Sequence, residues 1–341
     1  GKAALTLARG ASSTTKPRLA FTVARVVGML ERRKAREEDP TQHIPKGDVE
    51  FSERTLLVID EAGMLDVPSL HRLFSGLPEG ARVLFAGDVG QLPPVGLGAF
   101  FYQLVSEASR VVTLTRVLRQ AADSTIPVVA AQIRCGEVPG LVSWQGQTEG
   151  VYTVSSNELL AVARRLRAVR ETLVVAALRK TVSFVNNSEA AARRSAGLEE
   201  TRVAPDVYLS VGDPVVMNSN RYAEGLFNGL LGVVTSVGEQ LTVHWDGNCE
   251  PSEVSAEAAA DIDLAYAITC HKAQGSAADA VVVAVEQSEM VTREWLYTAV
   301  TRGRRLVLLV CDAGTVQQAL SRRTVRCTGM KIAAFRGVRA Q

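Results

Sequence analysis

The chain has 341 residues, 47% of them hydrophobic and 22% charged, which supplies enough apolar material for two or three folded domains and argues against disorder. Thirty-eight basic against 36 acidic residues leave a net charge of +2, so bulk charge alone does not mark a nucleic-acid binder. The longest apolar runs, 280–285 and 306–311, are far too short to span a bilayer, and the N-terminus lacks the charged-then-apolar layout of a secretory signal. Five cysteines (Cys135, Cys249, Cys270, Cys311 and Cys327) are odd in number and show no CxxC or Cys/His spacing. That argues against a disulfide framework or a zinc site and points to a reducing, cytoplasmic setting.

In chain order, residues 31–50 are charged and carry Pro40 and Pro45, so a surface loop or hairpin is expected there. The runs 55–59 and 82–86 are apolar and of strand length. Leu70, Leu73 and Leu77 between them have helical spacing, which predicts a strand–helix–strand unit. Buried strands are also predicted at 111–114, 172–176, 280–285 and 306–310, and an amphipathic helix over 158–170. Alternating strands and helices indicate α/β layering. The texture changes over 205–262, where the short runs 213–217, 232–237 and 240–245 are separated by Asn228–Gly229 and Asp246–Gly247. A small antiparallel barrel or hairpin set, inserted into a second α/β unit, fits that pattern.

Four clusters carry chemistry. The apolar run ending at Ile59 leads straight into Asp60 and Glu61. Ligand sites of open parallel sheets lie at such strand ends, where one carboxylate can hold Mg²⁺ through its waters and the other can orient a water; a helix cap would also explain the pair. The stretch 86–96 follows a second strand. Gly87, Gly90, Pro93 and Pro94 stiffen it, and Gln91 offers an amide to a phosphate or a water. Residues 269–276 pack Thr269, His271, Lys272, Gln274 and Ser276 around Gly275, a group of donors suited to phosphate oxygens. The last cluster is a helix over 295–302, expected to end in Arg302 before a strand. Its guanidinium could reach a γ-phosphate or simply sit at a helix C-terminus. Basic residues then dominate from Arg302 to Arg339, suiting either a phosphate backbone or a solvated tail.

The strings VIDEAGMLD, GDVGQLPPVG, LRQ, TCHKAQGS and YTAVTRGR resemble, in order, motifs II to VI of superfamily 1 helicases. Leu-Pro-Pro in the second and AYAITCHKAQGS around the fourth are similar to the RecD branch, whose members travel 5′ to 3′. Gly1-Lys2-Ala3-Ala4 resembles motif Ia, and 215–229 resembles the start of that family's SH3-like insertion. The resemblance implies two RecA-like parallel-sheet domains, the first incomplete, with a small β insertion in the second. The divisions would be 1–115 (with 31–50 as a loop or small insertion), 116–204, 205–262 and 263–341.

It further implies an ATP-dependent helicase or translocase that uses Mg²⁺ and acts on single-stranded and duplex DNA. Repair, recombination or conjugation subunits would be its partners, and it would have no membrane association. Asp60 and Glu61 would serve Mg²⁺ and the hydrolytic water, and Gln91 would sense the γ-phosphate. Arg119 and Arg302 would be arginine fingers. Gly275 would line the nucleotide side, while Lys2, Pro93, Thr269, His271, Lys272 and Gln274 would meet DNA. The chain departs from the family at Leu230–Leu231 and at Ala277–Ala278. It also contains no GxxxxGK[ST], so the phosphate loop is expected upstream of residue 1. The alternative is a DNA-binding or scaffolding module that has kept the fold without catalysis.

Overall fold

The computed structural model describes residues 20–39, 41, 48–107, 111–115, 124–198, 200–205, 207–221, 224–238, 240–246 and 250–324. They fall into two compact units, one within residues 3–115 and the other within 116–323. Among the described residues no helix is long and apolar enough to cross a membrane.

In the first unit, helix α1 (Val23–Glu38) is started by Thr22, whose hydroxyl accepts from the Arg25 amide. Val26, Val27 and Leu30 recur at helical spacing and are buried against α2 (Val67–Gly76). The helix therefore runs through residues 31–38, where a loop was expected. Its charges form the outer face: Arg32 makes a two-pronged contact with Asp48, and Glu31 pairs with Arg72. Strands β1 (Leu56–Ile59) and β2 (Arg82–Phe85) flank α2 and pair in parallel, as the strand–helix–strand pattern requires. Ile59, Leu70, Leu73 and, from α3 (Phe100–Glu107), Phe100 and Phe101 close the core on one face. On the other face Leu56, Val58 and Leu84 are exposed. The run 111–114 is no strand: Val112 and Leu114 are 88% and 91% exposed, and among the described residues no strand lies alongside to give the run a ladder.

The second unit starts with α4 (Ile126–Cys135). Its sheet is built from β3 (Gly150–Val154), β4 (Thr172–Ala176), β12 (Ala267–Thr269), β13 (Ala278–Ala284) and β14 (Gly303–Val310). The order is β12-β4-β13-β14-β3, parallel throughout. Near-continuous apolar strands suit a sheet covered on both faces, and Val174, Val282 and Leu308 are completely buried. Helix α5 (Leu159–Arg167) covers the sheet with Val162, Ala163 and Leu166, close to the stretch predicted as helical. Helix α6 (Arg179–Ser195) follows β4.

The described residues between α6 and β12 form a hairpin, β5 (Thr201–Ala204) with β6 (Val207–Leu209), and an antiparallel sheet. That sheet holds β7 (Pro214–Met217), β8 (Leu231–Ser236), β9 (Leu241–Trp245), β10 (Ser252–Val254) and β11 (Ile262–Leu264), in the order β10-β9-β8-β7-β11. This is the inserted antiparallel set that the Asn-Gly and Asp-Gly pattern predicts.

The N-terminus of α6 is closed by a distant carboxylate. Glu286 accepts from the amides of Ala177 (2.8 Å) and Leu178 (3.0 Å) and from the Thr181 hydroxyl. A helix N-terminus carries orphan donors and partial positive charge, so an anion is stabilising there. Replacing Glu286 with Ala leaves those donors unmatched and should lower unfolding free energy by about 2–3 kcal/mol, read from urea titration of the full-length protein. A loss under about 0.5 kcal/mol would mean water caps the helix equally well.

Candidate active site

Asp60 and Glu61 leave the C-terminal end of β1, and Asp60 is exposed. Glu61 has φ 50° and ψ 41°, the only positive φ of a non-glycine residue among the described residues. A left-handed residue with a Cβ costs about 1–2 kcal/mol. Such a conformation persists only where the surroundings impose it, and it concentrates at functional sites. The surroundings are visible. The Ala86 amide donates to the Ile59 carbonyl and the Ala62 amide to the Ala86 carbonyl, each at 2.8 Å, so the chain must turn sharply at Glu61 to keep the second bond.

The same bonds lay the loop after β2 beside the acidic corner. Gly87 approaches so closely that an added Cβ would sit 3.1 Å from the Gly63 nitrogen and 2.9 Å from the Phe101 ring. Asp88 accepts from the Gly90 amide at 2.8 Å, and the Tyr102 hydroxyl donates to the Gln91 carbonyl at 2.8 Å. Val67 and Leu97 bond through their backbones at 2.9 Å, which fixes the far end of the loop. Asp88 thus shapes the loop, and Gln91 stands half-buried on it with its backbone pinned. Pro93, expected to meet DNA, is buried, so as it stands it stiffens the loop and presents no surface.

In the second unit Thr269 ends β12 and caps the short helix Cys270–Ala273, its hydroxyl accepting from the Lys272 amide. Lys272 in turn donates to the Asn218 side chain on the insertion. Gly275 has φ +74°, the left-handed value that glycine takes without strain, and it reverses the chain toward β13. His271 and Gln274 are half-buried on the same turn. Burial pushes the Cys270 thiol up to about 12, so it stays neutral and acts as packing.

Helix Arg293–Val300 stops short of Arg302, which lies in the following turn. Arg302 is only 1% exposed. Its guanidinium donates to the carbonyls of Thr298 (3.0 Å) and Ser276 (3.4 Å) and to the Thr301 hydroxyl (3.2 Å). The Ala278 amide donates back to the Arg302 carbonyl at 3.1 Å. The structure therefore joins the 269–276 turn to the Arg302 turn, with the charge turned inward. The nearby basic residues are also engaged: Arg304 with Glu171, Arg305 with Glu149, Arg323 with Glu294, and Arg322 with the Ser288 carbonyl. Lys2 and Arg119 lie outside the described residues, as does the tail beyond 324.

Sequence reasoning missed Asn186. This buried side chain donates to the carbonyls of Leu264 (2.8 Å) and Ala267 (3.2 Å) and accepts from the Ala267 amide (2.8 Å). It ties the end of the insertion to the start of β12 and so sets where Thr269 emerges. The only sequence signal was an amide on the apolar stripe beside Val182 and Val185.

Asp60 and Glu61 offer hard oxygen donors at a strand end, which suit Mg²⁺ held largely through water. Among the described residues no group of three or more His, Cys, Asp or Glu forms a ready-made metal cage.

The AAA domain family matches residues 1–156 and the UvrD-like helicase C-terminal domain family matches 264–310. In fold the chain is similar to the Pif1 helicase from Bacteroides in complex with ADP-AlF3 and ssDNA. That similarity has TM-score 0.56 and 21% identity, and covers 93% of this chain and 82% of that one. The two α/β units with their inserted β sheet therefore share the fold of that structure. The ATP-dependent RecD2 DNA helicase of Deinococcus radiodurans is 32% identical over 276 residues, 78% of this chain and 38% of the relative. The RecBCD enzyme subunit RecD of Mycobacterium tuberculosis is 30% identical over 308 residues, 81% of this chain and 53% of the relative. Over roughly four fifths of its length the chain is similar to these two RecD-type proteins. It spans about half or less of the length of these curated relatives.

Two expectations follow for the full-length protein. Glu61→Gly relieves the left-handed strain and should raise unfolding free energy by about 0.5–1 kcal/mol, a gain that a thermal melt would resolve. Arg302→Ala removes a buried, multiply bonded charge and should lower stability by about 2 kcal/mol or more, measured by urea titration. An unchanged midpoint would show that Arg302 does not brace the two turns.

Proposed function

We propose that the protein is an ATP-dependent DNA helicase or translocase that moves 5′ to 3′ along single-stranded DNA. The observation that carries this reading is Glu61. The fold holds a carboxylate in a strained conformation beside Asp60, at a parallel strand end, with Gln91 on a braced loop alongside. A module that only bound DNA would gain nothing from that strain, whereas an acidic pair at a strand end serves hydrolysis.

In this reading Asp60 orients the waters of Mg²⁺, Glu61 orients and deprotonates the attacking water, and Gln91 contacts the γ-phosphate. When bound, Mg²⁺ neutralises phosphate charge. Arg119 and Arg302 are assigned to the γ-phosphate. For Arg302 this requires the guanidinium to leave the Ser276 carbonyl, which makes the same residue a link to the turn bearing Thr269 and Gln274. Thr269, His271, Lys272 and Gln274, together with Lys2, are assigned to the DNA backbone, a grip that is salt-sensitive and indifferent to sequence. The cytoplasm is the expected compartment. Partners would be DNA and the subunits of a repair, recombination or conjugation assembly; the relatives include a RecBCD enzyme subunit and a probable conjugal transfer protein.

With full-length protein, Glu61→Gln should bind ATP with wild-type affinity while turnover falls at least about 100-fold. ATPase at the wild-type rate in this variant would refute the assignment. Wild-type protein should displace strands from duplexes with 5′ single-stranded tails and leave 3′-tailed duplexes intact; the opposite preference would overturn the direction.

A further inference from the structure

Lys272 is held by an amide and not by an acid. It stands half-buried on the short helix Cys270–Ala273, and its ammonium donates to the side-chain carbonyl of Asn218. Asn218 directly follows β7 on the insertion, and its side-chain N–H donates to Asp263 of β11 at 2.7 Å. Next to it Met217 pairs with Ile262, and the Asn218 backbone N–H donates to the Asp261 carbonyl at 2.8 Å. The amide therefore sits where the first and last strands of the insertion are fastened together, with little freedom to turn away.

Chemistry sets the order of the three groups. A lysine only donates and a carboxylate only accepts, so an asparagine between them must turn its carbonyl to Lys272 and its N–H to Asp263. Both neighbouring carboxylates are engaged elsewhere. Asp263 takes the Asn218 amide, and Asp261 accepts from the Ser219 hydroxyl at 2.6 Å and from Arg221 at 2.8 Å. Among the described residues Lys272 forms no ion pair with a carboxylate.

The two kinds of holder differ in consequence. A carboxylate in direct contact would grip the ammonium more strongly and would also neutralise it, so that an incoming phosphate would have to displace an acid. An amide carbonyl fixes the direction of the side chain and leaves its formal charge in place, with further ammonium donors still to be filled. A lysine kept only to fasten the insertion would be better served by Asp263 itself, one hydrogen bond further along.

We propose that Asn218 is the positioning residue of Lys272: interposed before Asp263, it aims the cation without neutralising it and so keeps its charge for a DNA phosphate. The inference rests on the assignment of Lys272 to the DNA backbone and deepens it, because it makes one amide of the inserted sheet a determinant of the grip.

The test exchanges the two groups. Asn218→Asp combined with Asp263→Asn keeps the net charge and the hydrogen-bonding groups but sets the carboxylate against Lys272. Binding of labelled oligothymidylate to full-length protein is followed by fluorescence anisotropy across a salt series. Lys272→Gln should reduce the slope of log K against log salt by about 0.7, the value of one phosphate contact on a single strand. The exchange variant, with Lys272 intact, should lose the same slope. Carried from about 1 M down to about 50 mM salt, that change is a loss of about 5- to 10-fold in affinity. Asn218→Ala leaves the charge free but unaimed, so it should keep the wild-type slope and bind about 2- to 10-fold more weakly. An exchange variant that matches wild type in slope and affinity would overturn the inference and leave the assignment of Lys272 standing. Lys272→Gln with the wild-type slope would overturn that assignment and the inference with it. Should a thermal melt show that the exchange variant does not fold, Asn218→Ala decides, and wild-type affinity in that variant would overturn the aiming.

Discussion

Two backbone hydrogen bonds, from Ala86 to Ile59 and from Ala62 to Ala86, determine the geometry of the acidic corner. They extend the β1–β2 ladder by one rung past the point where side-chain pairing ends, and the chain reaches the second bond only by taking Glu61 through the left-handed region. The loop carrying Gln91 is bound into the same arrangement by Gly87, Asp88 and Tyr102. Moving any of these contacts would move the carboxylates. The strain at Glu61 is therefore held by the sheet and the helices behind it, whose core includes Ile59, Phe100 and Phe101.

The parts of the molecule that were legible from sequence are those where side-chain chemistry and period coincide. Apolar runs at 172–176, 280–285 and 306–310 could be little other than buried strands, and the parallel sheet contains all three. Asn-Gly and Asp-Gly pairs announced the antiparallel insertion. Helix α1 was misread because its C-terminal half is almost all charge; the anchoring residues Val26, Val27 and Leu30 precede that half. The run 111–114 was misread for the opposite reason, since apolar character alone does not supply a neighbouring strand.

The site was legible in composition more than in disposition. The residue types at 60, 61, 91 and 269–276 suggest the chemistry proposed, yet nothing local could show that Glu61 is left-handed or that Arg302 turns inward onto Ser276. Those facts are set by contacts dozens of residues away in the chain. Asn186 and Glu286 escaped for the same reason, each acting on backbone groups that sequence distance conceals.

The insertion leaves and rejoins the parallel sheet at almost one point. Its first strand, β7, is paired with its last, β11, and the Ala265 amide donates to the Pro214 carbonyl at 2.7 Å. A latch outside the inserted sheet closes the junction. The Tyr266 hydroxyl donates to Asp213 at 2.6 Å, Asp213 pairs with Arg193 at 2.9 Å, and Arg167 lies over the Tyr266 ring. Burial and the neighbouring Asp213 hold the Tyr266 hydroxyl well above the usual phenol range, so this latch keeps its proton at any physiological acidity. A segment fastened in this way behaves as an exchangeable cassette. Evolution could lengthen, trim or replace everything between Pro214 and Leu264 while the β4–β12 edge of the sheet stayed in register, leaving the parallel sheet free to acquire new attachments without being rebuilt.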